Sequence, residues 1–147
     1  MYRHILIPTD GSKLSERAAV AGVKLAAVLG ARVTAIFVAP PATPVVYRRF
    51  VPVKLTTPEA HAKMIEQAGA RYLGAVKKAA DAAGVPCDLD QVTGDFAADA
   101  ILQAAARRKC DLIFMASRGH HGLAAVLLGS ETQKVLAQAK ISVLVHR

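Results

Sequence analysis

The sequence predicts an α/β fold: one doubly wound domain with a five-stranded parallel sheet in the order 3-2-1-4-5 and helices on both faces. Three observations carry this expectation. Short apolar runs rich in β-branched residues alternate with longer stretches whose apolar positions recur every three or four residues. Strands separated by helices need right-handed crossovers, and these give a parallel sheet covered on both sides. No repeat, low-complexity tract or linker divides residues 1–147, and 53% hydrophobic residues against 20% charged suit a single buried core.

The elements follow in order. "HILIPTD", His4 to Asp10, reads as a buried strand running into a Pro-Thr-Asp-Gly-Ser turn. From Ser12 to Leu29, Leu14, Ala18, Ala21, Leu25 and Val28 mark one helical face, with Ser12 able to cap the start and Gly30 to close the end. Arg32 to Val38 is a second strand, ended by Pro40. The segment Ala39 to Pro58 contains five prolines and reads as a surface excursion, with Val45 to Val53 extended.

Thr57-Pro58-Glu59 combines a cap residue, proline at the first helical position and an early acid, so it opens a helix to about Ala83, which Gly84 stops. "VPCDLDQV" is a third strand whose polar alternation places it at the sheet edge. A helix then starts at Gly94 or Asp95 and runs to about Lys109. "DLIFMA" is a strongly apolar fourth strand, Ser130 to Ala139 a last helix, and "ISVLVHR" the fifth strand.

Composition excludes several classes of function. No apolar stretch is long enough to span a bilayer, and the N-terminus lacks a signal-peptide pattern, so a cytoplasmic protein without membrane contact is expected. Cys87 and Cys110 are far apart and show no CxxC spacing, which reads as ordinary reduced thiols. The net charge of +8 raises nucleic acid as a partner. The basic residues are scattered, however, and aromatics make up only 5% of the chain, so a solvated basic surface is the expectation.

In such a sheet a ligand binds outside the carboxyl ends of the strands, where successive connections leave to opposite faces. That point falls between the first and fourth strands, so Pro8, Thr9 and Asp10 should face Met115 to Gly119. Gly119, Gly129 and Ser130 can form a phosphate cradle, because Gly129-Ser130 begins a helix and glycine lets the backbone approach a phosphate closely. Arg118 adds a positive charge. Asp10 suits ribose hydroxyls or an adenine amino group, and equally suits capping of the first helix.

His120-His121 invites a metal site, but no Cys, Asp or Glu ligand lies nearby before Glu131, and neither HxxxH nor HExxH occurs. No GxSxG serine and no complete GxxxxGK[ST] loop is present. Acyl transfer and P-loop hydrolysis therefore lack sequence support.

"ILIPTDGS" and "MASRGHHGLAAVLLGSETQKVLAQAKISVLVHR" resemble the universal stress protein family over nearly the whole chain. That family's nucleotide signature is G-x2-G-x9-G-[ST]. Here Gly119, nine residues from His120 to Leu128, and Gly129-Ser130 match its second half, while Ala116 stands at the first glycine. An alanine there fits if its φ is negative, whereas a positive φ would force the loop to shift.

The resemblance implies that Pro8, Thr9 and Asp10 lie at the adenosine, Val38 at the adenine, and Met115 and Ala116 at the ribose. It places Arg118, Gly119, Gly129, Ser130, Glu131 and Thr132 around the phosphates. It further implies ATP, or AMP or ADP, as ligand with Mg as an optional companion, and a homodimer through the strand Ile141 to His146. The function implied is a regulatory module of the stress response, in which nucleotide orders the Ala116 to Gly129 loop and alters a surface for an unidentified protein partner. Two alternatives share the fold: a dimer without nucleotide, and a slow ATP hydrolase using the same cleft.

Overall fold

The computed structural model describes residues 1–41, 46–48, 51–53, 57–119 and 128–147. Seven strands and four helices follow one another as β1 (His4–Pro8), α1 (Lys13–Leu29), β2 (Arg32–Ala39), β3 (Val46–Arg48), β4 (Val51–Val53), α2 (Pro58–Ala82), β5 (Cys87–Thr93), α3 (Ala97–Arg107), β6 (Leu112–Ala116), α4 (Ser130–Gln138) and β7 (Ser142–His146). Five of the strands form a parallel sheet ordered β5-β2-β1-β6-β7, which is the predicted 3-2-1-4-5 arrangement. The excursion after β2 contributes a separate antiparallel pair, β3 with β4.

Local chemistry sets the helix ends. Ser12 accepts the Ser15 N–H at 3.2 Å to start α1, and Gly30, left-handed at φ 65°, donates back to Ala26 and Ala27 to close it. Thr57 accepts the Ala60 N–H at 3.1 Å ahead of Pro58, so α2 begins where the cap, proline and acid predict. α3 departs from expectation. Its N-cap is Phe96, with no side-chain cap bond, and its first residue is Ala97 rather than Gly94 or Asp95. Asp95 does not cap it, because a carboxylate from another helix takes that place.

The sheet separates two apolar layers. On one face Ile5, Ile7, Val33, Ala35, Phe37 and Phe114 pack under α1 and α2 through Ala18, Val23, Ala26, Leu73, Val76 and Ala80. On the other, Leu6, Ile36, Ile113 and Met115 meet Ala98, Ile101 and Ala104 of α3 and Val135 of α4. Alternate residues of β1, β2 and β6 serve both layers, which explains their nearly continuous apolar runs. Each large side chain so buried contributes about 1.5–3 kcal/mol. β5, polar and alternating, has a single neighbour and is an edge, as its pattern predicts.

The amino ends of β1 and β6 are tied together by polar groups. The Asp111 carboxylate accepts the backbone N–H of Arg3 at 2.9 Å and of His4 at 3.0 Å. Burial pulls the Asp111 pKa up, but the N–H groups of His4, Arg3 and Asp111 itself outweigh it and hold the carboxyl below its ordinary value. His4 is 4% exposed, and its Nε2 bonds Thr34 Oγ1 at 2.7 Å. Burial, helped by the nearby Arg32 charge, lowers the His4 pKa from its ordinary 6.5.

The unfolded chain therefore binds this proton more readily than the folded one. The stability His4 confers is complete above the ordinary value of 6.5 and is lost as pH falls below it towards the folded value. Urea denaturation is expected to show lower stability at pH 5.5 than at pH 7.5, with a shallower slope in His4→Gln. An unchanged slope in that variant would count against His4 as the source.

Candidate functional site

β1 sends the chain to α1 on one face, and β6 sends it to α4 on the other, so the predicted switch point exists between these neighbouring strands. A cleft of about 570 Å³ opens there. Every residue named from the sequence borders it: Pro8, Thr9, Asp10, Val38, Met115, Ala116, Arg118, Gly119, Gly129, Ser130, Glu131 and Thr132. His120, His121 and Gly122 lie outside the described residues.

The rim after β1 is held by short bonds. Thr9 donates its N–H to the Ile36 carbonyl at 2.9 Å. Asp10 Oδ1 accepts the Ser12 N–H and the Ser15 hydroxyl, each at 2.9 Å, so the carboxylate organises the start of α1, the capping role open to an Asp before Gly-Ser. Across the cleft, the Ser117 N–H bonds the His146 carbonyl at 3.0 Å, and Gly129 N–H bonds the Ser117 carbonyl at 2.7 Å. The buried Thr132 hydroxyl donates to the Ala116 carbonyl at 3.0 Å. These contacts pin the first turn of α4 against the end of β6.

Ala116 is the last residue of β6, paired with His146, and its backbone is not left-handed. The alanine side chain therefore carries no left-handed backbone strain there. The two described glycines of the loop, Gly119 and Gly129, are set by close approach instead. A Cβ at Gly119 would run into the Asp10 carboxylate, and one at Gly129 would stand 3.1 Å from Arg118 Cα. Gly129 is the N-cap of α4 and supplies no side-chain cap bond. That first turn borders the cleft, and the start of a helix is where an anion is favoured.

Glu131 has a placement no sequence pattern indicates. Its Oε2 accepts the Ala98 N–H at 2.7 Å, so a residue of α4 caps α3, where Phe96 cannot. The carboxylate is thus turned to a second helix N-terminus, which favours negative charge. Sequence reasoning also misses Ile65, Ala68 and Tyr72 of α2, which form the opposite wall. Tyr72 sits on the apolar face of a long amphipathic helix, and nothing local distinguishes a wall residue from a core residue there. Its ring meets Phe37 edge-on at 5.3 Å between centroids.

Among the described residues no group of three or more His, Cys, Asp or Glu side chains is placed to hold a metal, and no helix is long and apolar enough to cross a membrane. Cys87 and Cys110 are free thiols, and burial pushes Cys110 up to about 11, far from a reactive thiolate.

A family model described as the Universal stress protein family matches residues 1–147. The chain belongs to the universal stress protein family. A universal stress protein of Thermus aquaticus is 34% identical over 151 residues, covering 100% of both chains. One of Methanocaldococcus jannaschii is 34% identical over 146 residues, 99% of this chain and 82% of the relative. Among solved structures, a universal stress protein of Lactobacillus plantarum superposes with a TM-score of 0.79 at 21% identity, covering 99% of this chain and 98% of that one.

A family member in complex with cAMP gives 0.71 at 24% identity over 99% and 97% of the two chains. One of Archaeoglobus fulgidus in complex with dAMP gives 0.62 at 16% identity over 99% and 98%. At these identities the superpositions establish the family's doubly wound fold for this chain.

Proposed function

We propose that this universal stress protein is an adenine-nucleotide-binding regulatory module of the stress response, acting in the cytoplasm as a homodimer. One observation carries the reading: the first turn of α4, without a side-chain cap at Gly129, opens into the cleft at the switch point of the sheet. Apolar side chains, Ile36, Val38, Met115 and Ile101, line the same cleft and suit a purine. The cAMP and dAMP complexes of two relatives support an adenine ligand. ATP, ADP and AMP are the candidates, with Mg accompanying the longer phosphate chains.

The module binds and does not turn over its ligand. Asp10 Oδ1 and Glu131 Oε2, carboxylate oxygens bordering the cleft, accept bonds that hold α1 and α3 in place. These bonds support a structural role for both carboxylates. For the dimer, β7 has β6 as its one neighbour in the sheet and carries Leu144 at 38% exposure, so its free edge suits pairing with a second copy.

Freshly purified protein, denatured and analysed, is expected to release an adenine nucleotide, and the stripped protein to bind AMP, ADP or ATP in a calorimetric titration. Neither release nor heat at millimolar nucleotide would overturn the reading. Steady ATP turnover that disappears in Asp10→Ala would make it an enzyme. A monomeric mass at micromolar concentration would remove the dimer.

A further inference from the structure

Among the described residues, the charged side chains bordering the cleft are three carboxylates, Asp10, Asp95 and Glu131, and one guanidinium, Arg118. The whole chain carries a net +8, so the described border of the cleft contrasts with a basic protein. Glu131 holds the most telling position. It belongs to the first turn of α4, whose amides are the ones offered to a phosphate, and its carboxylate is fixed by the Ala98 N–H at 2.7 Å. The N-terminus of α3, which Phe96 leaves without a side-chain cap, is therefore already occupied by an anion that the chain itself supplies.

We infer that Glu131 is a specificity-determining residue that biases this site towards adenosine monophosphates and against ATP. The inference rests on the nucleotide reading above. A single phosphate needs only the α4 amides and Arg118. Each further phosphoryl group brings negative charge towards the Glu131 carboxylate, where the second helix terminus is already taken. Like charges in a partly desolvated cleft are weakly screened, so the repulsion grows with the number of phosphates. Binding to the base and ribose lies outside this effect, which makes adenosine the internal reference.

The test is calorimetry of the full-length protein and of Glu131→Gln with adenosine, AMP and ATP in EDTA, which keeps divalent ions from neutralising the phosphates. Glutamine keeps a carbonyl oxygen for the Ala98 N–H and removes the charge. The native protein is expected to prefer AMP to ATP. The variant is expected to raise the ATP-to-AMP affinity ratio on the order of tenfold, an effect of the size of one partly screened unit charge. Added salt should narrow the gap in the native protein.

A native preference for ATP over AMP would overturn the inference. So would affinities for all three ligands that stay unchanged or shift together in the variant, which marks a residue that only anchors α3. If none of the three binds either protein, the nucleotide reading itself falls, and the role of Glu131 with it.

Discussion

Gly11→Ala is expected to lower the unfolding free energy by about 2–3 kcal/mol, the sum of a left-handed backbone penalty and a lost aromatic contact. Gly11 has φ 79° in the turn between β1 and α1, a conformation that an L side chain adopts at a cost of about 1–2 kcal/mol. A Cβ there would also run into the Tyr72 ring, so the ring must leave its edge-on contact with Phe37. Gly30 provides the comparison. It is left-handed at φ 65° but has open space where a Cβ would stand, so Gly30→Ala should show the backbone cost alone. Urea denaturation of both variants measures the difference. Equal losses would mean that Tyr72 moves aside freely.

Ile36→Ala is expected to cost about 3–4 kcal/mol, at unchanged m-value, because it empties a site that the surrounding elements cannot close. Ile36 is 0% exposed in β2, bonded on both sides by β1 and β5 and packed in the layer of Leu6, Ala98, Ile101 and Ile113. Its carbonyl also holds the Thr9 N–H at the rim of the cleft, and its side chain borders that cleft. Leu89→Ala, at a side chain 42% exposed on the edge strand β5, should cost about 1 kcal/mol or less. Similar losses at the two positions would contradict the burial pattern.

Much of the architecture was legible because its signals are local. Apolar runs such as "ILI" and "LIFM" specify buried strands, and Ser12, Thr57, Pro58 and Gly30 mark helix ends through bonds that reach three or four residues. The alternation of strands and helices then restricts the topology, and the topology places the ends of β1 and β6 together. That step accounts for Pro8 to Asp10 and Met115 to Gly119 meeting at one cleft; Val38, Glu131 and Thr132, which border it too, are implied by the family resemblance.

The start of α3 lies two residues beyond Asp95, because its cap is not local. Gly94 or Asp95 is the start that the sequence predicts, but Phe96 is the N-cap and Glu131 supplies the acceptor from 33 residues away. The extended stretch predicted around Val45 to Val53 agrees with the short β3–β4 pair within its described strands.

The sequence by itself determined the order and type of the elements, the strand order of the sheet and the meeting of the β1 and β6 ends at its switch point, since periodicity and turn chemistry act over a few residues. The tertiary structure alone decided that Ala116 sits in extended rather than left-handed backbone, that Tyr72 closes over Gly11, and that the Glu131 carboxylate turns to α3. Each of these depends on which side chain from a distant segment arrives at a given point in space. Packing of separate elements sets that meeting, and no local pattern encodes it.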